Sequence, residues 1–121
     1  MAVQQEISNT RARLRRRVRK GAALLDRECP GWEKKIDMSN LQMSSGSRCI
    51  LGQVFVNGFS SGYYKGIAAL RLVETNADDR QAQLHGFNLG DEDLKIFIEG
   101  QVWDWLAGYW IREINNRRAT A

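Results

Sequence analysis

Ile7, Leu14, Val18, Ala22 and Leu25 recur at spacings of seven, four, four and three. At 100° per residue these positions share one narrow stripe, which predicts a helix from Gln4 to Glu28. Gly21 is the point at which that helix would loosen. Pro30 ends it, because the residue before a proline is pushed out of the α region. Trp32 and Ile36 lie one turn apart in a short helical piece that closes over the core, and Asp37 caps a further turn that buries Leu41. Residues 43–47 read as a loop. The apolar run within residues 48–56 is too short for periodicity to decide between helix and strand. Helix is preferred because the chain offers no second good strand to pair with it. Asn57-Gly58 and Ser60-Ser61-Gly62 mark loops or caps. A helix over Tyr63–Val73 follows, with Tyr63, Ile67 and Leu70 on one face. Asn76 then caps a helix over Ala77–His85, which Gly86 stops.

The last predicted helix opens with Asp91, Glu92 and Asp93 in its first turn and closes with Arg117 and Arg118, charges that suit the helix dipole at each end. Between them lie Leu94, Phe97, Ile98, Val102, Trp103, Trp105, Leu106, Tyr109, Trp110, Ile111 and Ile114. This is more apolar surface than one stripe needs. The helix is therefore central to the fold, or one side of it pairs with another chain, as in a homodimer. Trp103 and Trp110 are assigned to the core and Trp105 is left open. The expected architecture is all-α: a small single-domain bundle of four to six helices, with residues 1–20 as a basic helical extension and residues 21–121 as the domain.

Composition narrows the function classes. A chain of 121 residues fits one domain, and 43 % hydrophobic with 26 % charged residues is near the globular average, which argues against disorder throughout. No apolar run is long enough to span a membrane, and the polar, Arg-rich start does not read as a secretory signal, so a cytoplasmic location is expected. Cys29 and Cys49 form no C-x-x-C pair and His85 is the single histidine, so the expectation is free thiols and no structural zinc. No nucleophile–base pattern is present, and neither a catalytic residue nor a cofactor is expected. His85 reads as the C-terminal residue of a helix, and the run Asp91-Glu92-Asp93 as a helix start rather than a cation site.

Charge is the feature that points outward. Residues 1–20 carry seven cations against the single acid Glu6, whereas the rest of the chain holds eleven basic and thirteen acidic residues. The net charge of +4 thus conceals a basic arm on a mildly acidic body. Arg13, Arg16, Arg17 and Lys20 fall opposite the apolar stripe, and Arg11, Arg15 and Arg19 flank it. Such a face can neutralise several phosphates and release their counterions, making nucleic acid the leading partner. An acidic protein partner and a merely solvated face are the competing readings. A membrane surface ranks low because the apolar seam is narrow and lacks aromatics. A weaker candidate is the loop Ser44-Ser45-Gly46-Ser47-Arg48. If a helix starts near Ser47, its free amides, the hydroxyls and Arg48 could hold an anion; the simpler reading is that Ser47 caps the helix. Gly58, Gly62 and Gly66 are spaced by four, a pattern that lets helices approach closely but more often marks loops and caps.

The residues Leu25-Asp26, Pro30-Gly31-Trp32, Ile36-Asp37, Leu41, Ser45-Gly46, Cys49, Leu51-Gly52-Gln53 and Phe55 form a pattern. With the Tyr/Gly-rich segment Tyr63–Leu70, Leu84-x-Gly86-Phe87 and the Trp-containing last helix, it resembles a family of short, uncharacterised α-helical proteins of actinobacteria and their phages. The resemblance covers most of residues 21–118 and leaves the basic helix outside. It implies a context without a chemistry. Small phage proteins act by binding host or phage macromolecules, so the second function class is a protein-interaction module. That module would be a phage factor binding a host protein or defence complex through Trp105 and Tyr109.

Overall fold

The computed structural model describes residues 2–56, 62–72, 79–94 and 97–120. These residues hold six α-helices and no strand: α1 Ala2–Glu28, α2 Ile50–Val54, α3 Gly62–Ala69, α4 Arg80–Leu84, α5 Asp91–Leu94 and α6 Glu99–Thr120. Two 3-10 turns, Trp32–Lys35 and Met38–Asn40, follow α1. The helical reading of residues 48–56 holds. The helix begins at Ile50 with Cys49, not Ser47, at its cap, where the Cys49 Sγ accepts the Gly52 N–H at 3.3 Å. The expected loop at Asn57–Ser61 and the Asn76 cap lie outside the described residues.

Two long helices, α1 and α6, carry the core. Leu14, Val18, Ala22 and Leu25 of α1 are buried against Val102, Leu106, Trp110 and Ile114 of α6. The expected extension over residues 1–20 is therefore not separate: α1 is one continuous helix, and burial begins at Thr10 within its first third. Gly21 does not break it. Its missing side chain admits the backbone of His85, whose carbonyl a Cβ there would strike, and Gly86 in turn abuts the backbone of Val18. This mutual approach seats the end of α4 on α1. Gly86 also takes the left-handed conformation, φ 74°, that ends α4, with Phe87 N–H bonded to Ala82 O and Gly86 N–H to Gln83 O. Arg71, φ 57°, ends α3 in the same way.

Trp110 is the hub. It is fully buried, stacks on Phe87 at 5.2 Å, meets Trp32 edge-on at 5.7 Å, and donates its indole N–H to Gly86 O at 2.7 Å. Its neighbour Arg117 lies over the Trp32 ring and forms a two-pronged pair with Asp26 at 2.7 and 2.9 Å. That guanidinium, together with the Trp32 indole bond, holds the Asp26 carboxyl below its ordinary value against the opposing effect of burial. Arg118 donates to the carbonyls of Glu33 and Ile36 and so closes the first 3-10 turn. The pairs Arg11–Tyr109 and Asp26–Arg117 advance together, so α1 and α6 run in the same sense. Between those pairs α1 rises about 22 Å and α6 about 12 Å, so the two helices cross rather than lie side by side.

The glycine spacing marks a second close approach. A Cβ on Gly62 would strike the Gly52 backbone, and one on Gly66 would meet Phe55 and Leu51, so α3 packs backbone-to-backbone on α2. The last predicted helix is two helices. Asp91–Asp93 fill the first turn of the short α5, and α6 starts anew at Glu99 after a bend at Phe97, with Ile98 O accepting the amides of Gln101 and Val102. Trp103 is only half-buried, unlike the fully buried Trp110.

Candidate nucleic-acid interface

On a helix, residues four apart stack in rows. The seven cations of α1 between Arg11 and Lys20 form three such rows: Arg13-Arg17, Arg16-Lys20 and Arg11-Arg15-Arg19. The structure gives each row a different environment.

The Arg13-Arg17 row faces α5. Asp93 is completely buried and receives both guanidinium groups: Arg13 at 2.7 and 3.0 Å on Oδ1, and Arg17 at 3.3 Å on Oδ2. Gly90 N–H donates to Oδ2 at 2.9 Å, which completes the carboxylate's satisfaction. Glu92 bonds Arg80 at 2.7 Å and Arg17 at 3.1 Å. Arg80, more than any other neighbour, holds the Glu92 carboxyl down to about 2. Glu92 and Asp93, besides filling the first turn of α5 with Asp91, are thus the counter-charge of the basic helix. Arg13 and Arg17, expected to share an outward phosphate-binding face with Arg16 and Lys20, are turned away from it.

Arg11, at the head of the third row, packs on α6. Its Nε donates to the Tyr109 hydroxyl at 2.9 Å, and its guanidinium lies over the rings of Trp105 and Tyr109 at 5.5 and 5.9 Å. Tyr109 is buried, and Trp105 is half-buried against Phe97, 5.4 Å between rings. The aromatic surface expected at Trp105 and Tyr109 is therefore covered within the chain.

Arg15, Arg16, Arg19 and Lys20 remain. All four are exposed, and their side chains form no hydrogen bond or ion pair among the described residues. Arg112 of α6 joins them, exposed, with its guanidinium also over the Tyr109 ring at 5.9 Å. A cleft of about 280 Å³ lies between the two helices, lined by Ser8, Arg11, Ala12, Arg15, Tyr109 and Arg112. Three guanidinium groups and two hydroxyls converge there, and no carboxylate lines it among the described residues. That donor set suits phosphate oxygens, which guanidinium forks bind in a two-pronged way. Sequence reading missed Arg112. Its signal was its place three residues after Tyr109, which puts both on one side of α6.

In the 44–48 loop several of the donors expected to meet an anion already have partners. Ser45 Oγ accepts the amide of Arg48 at 3.2 Å and that of Ser47 at 3.4 Å, and Ser45 O accepts the Cys49 amide. Arg48 donates to the backbone and side-chain oxygens of Asn40 at 3.2 and 3.0 Å. The Ser47 and Arg48 amides are thus engaged within the loop and the Arg48 Nε is engaged on Asn40. His85 ends α4, its Nδ1 2.8 Å from Gln81 O. Burial is the main cause that lowers its pKa, and the Gln81 contact opposes it. Cys29 and Cys49 are free, the first half-buried and the second buried. No helix among the described residues is long and apolar enough to cross a membrane.

Comparisons with protein-family models, curated sequences and solved structures give no match. The residues themselves carry the functional reading.

Proposed function

We propose that the protein is a non-enzymatic binding protein, of the phage and actinobacterial kind its sequence resembles, that holds nucleic acid by its phosphates. The face is made by Arg15, Arg16, Arg19, Lys20 and Arg112, with Arg11 at its edge. One observation carries the reading. Where α1 can neutralise its cations inside the fold it does so, with Asp93 and Glu92, yet these five are left without a counter-charge among the described residues. Counterion release from the phosphates would drive association, and backbone contact alone would give little sequence preference.

The test is binding to labelled duplex and single-stranded DNA and RNA across a salt series. If all five cations meet duplex phosphates, log K falls with log salt at a slope of about −4 to −5. Replacing Arg15, Arg16, Arg19 and Lys20 together by Gln removes most of that slope and of the affinity at low salt. Substitution is preferred to deletion because Leu14 and Val18 lie in the core between these residues. Polyglutamate serves as the competitor. Competition as strong as that of nucleic acid moves the assignment to an acidic protein partner, and no binding by the unaltered protein at low salt overturns it.

A further inference from the structure

We propose that a second cleft, on the far side of α6, binds a small organic cation, a primary or quaternary ammonium. The cleft has a volume of about 330 Å³, small for a ligand pocket. Its walls include Tyr63, Tyr64, Phe87, Trp103, Asn88 and Asp79, and among the described residues no Lys, Arg or His lines it. In a chain with 18 basic residues that composition is selective. Aromatic faces around a carboxylate attract an ammonium through the ring quadrupole and the full charge together, and they offer an anion nothing. Trp103 and Arg112 are nine residues apart, about 180° around α6, so this cleft and the basic face are on opposite sides and are independent.

Asp79 supplies the strongest argument. It occupies the cap position of α4, where an aspartate ordinarily accepts an amide of the first turn. Here it does not: its backbone is left-handed, φ 51° and ψ 30°, and its side chain makes no cap bond. Nor does it form an ion pair among the described residues. Asp79 lines the cleft instead, where its carboxylate accepts the Tyr63 hydroxyl and keeps its negative charge without a cationic partner among the described residues. The surrounding groups are held in place. Tyr63 is buried, and its hydroxyl accepts from Asn88 Nδ2 at 2.9 Å. Trp103 donates its indole N–H to Glu99 at 3.2 Å, which fixes the ring. Tyr64 stands edge-on to Tyr63 at 5.2 Å and is 68 % exposed, which suits an entrance residue.

The experiment titrates the full chain with tetramethylammonium chloride and follows the Trp103 indole resonance, with sodium chloride at equal ionic strength and the neutral isostere tert-butanol as controls. The expected result is a saturable shift with tetramethylammonium alone. Asp79→Asn keeps a residue that tolerates the left-handed backbone while removing the charge, and it weakens binding by about tenfold. Tyr64→Leu, at an exposed position that does not threaten folding, weakens it several-fold. An equal response to tert-butanol would show a merely apolar hollow and overturn the proposal. So would an unaltered affinity in Asp79→Asn, or the lack of any saturable shift at about 100 mM, far above the range that paired cation–π and carboxylate contacts reach.

Discussion

The two flanks of α1 carry the same chemical group in opposite circumstances. On one, Arg13 and Arg17 close on a carboxylate with no solvent exposure and form the joint between α1 and α5. On the other, Arg15, Arg16, Arg19 and Lys20 face water with no counter-charge opposite them among the described residues. The difference teaches that a charge run is not a single object. A guanidinium aimed at a buried acid contributes to folding and is lost to a partner. One aimed at solvent adds almost nothing to folding and is free to meet phosphate.

Stability measurements can break or sharpen this contrast. Asp93→Ala leaves two guanidinium groups turned into the protein without their acceptor, and it should cost about 3–5 kcal/mol in urea denaturation. A loss under about 1 kcal/mol would mean the joint is slack. Arg17→Ala removes charged bonds to Asp93 and Glu92 but leaves Arg13 in place, so about 1.5–3 kcal/mol is expected. Glu92→Gln should matter less, under about 1 kcal/mol at neutral pH, because its side chain is 40 % exposed. Its signature is in acid. A carboxyl lowered from 4.5 to about 2 in the fold contributes fully above pH 4.5, and that contribution fades as pH falls towards 2. The variant should show a shallower loss of stability across that window, and an unchanged profile would separate Glu92 from the joint. The smallest effect per site is expected from the fourfold Gln replacement on the solvent flank. It should shift stability by no more than about 0.5 kcal/mol per site while nucleic-acid affinity collapses.

Local pattern made α1, the turn after Pro30 and the helical class legible in the sequence, because each depends on spacing within a few residues. The division of the cations was not legible. Arg13 and Asp93 are 80 residues apart, and nothing in either segment states that they meet. The same distance hid the second role of Glu92 and Asp93, which fit a helix start so well that their pairing with α1 went unseen. The break before α6 was invisible for a related reason. No proline or glycine lies at 95–98, and the bend at Phe97 accompanies that ring's packing on Trp105 and the docking of Asp93 on α1. The glycine spacing at 58, 62 and 66 was visible, but its counterpart Gly52 lies outside that series, so the backbone contact it serves was not.

The parallel crossing of α1 and α6 also sets the order of events during synthesis. The pairs that join them are separated by 98 and 91 residues, so α1 is complete long before its main partner is translated. Through that interval Leu14, Val18 and Leu25 have no α6 to cover them, and closing so long a loop places the α1–α6 seam among the late, slow contacts. The cations that flank the seam repel like chains while it is open, so the helix proposed to meet phosphate in the finished protein would also protect the unfinished one from its neighbours.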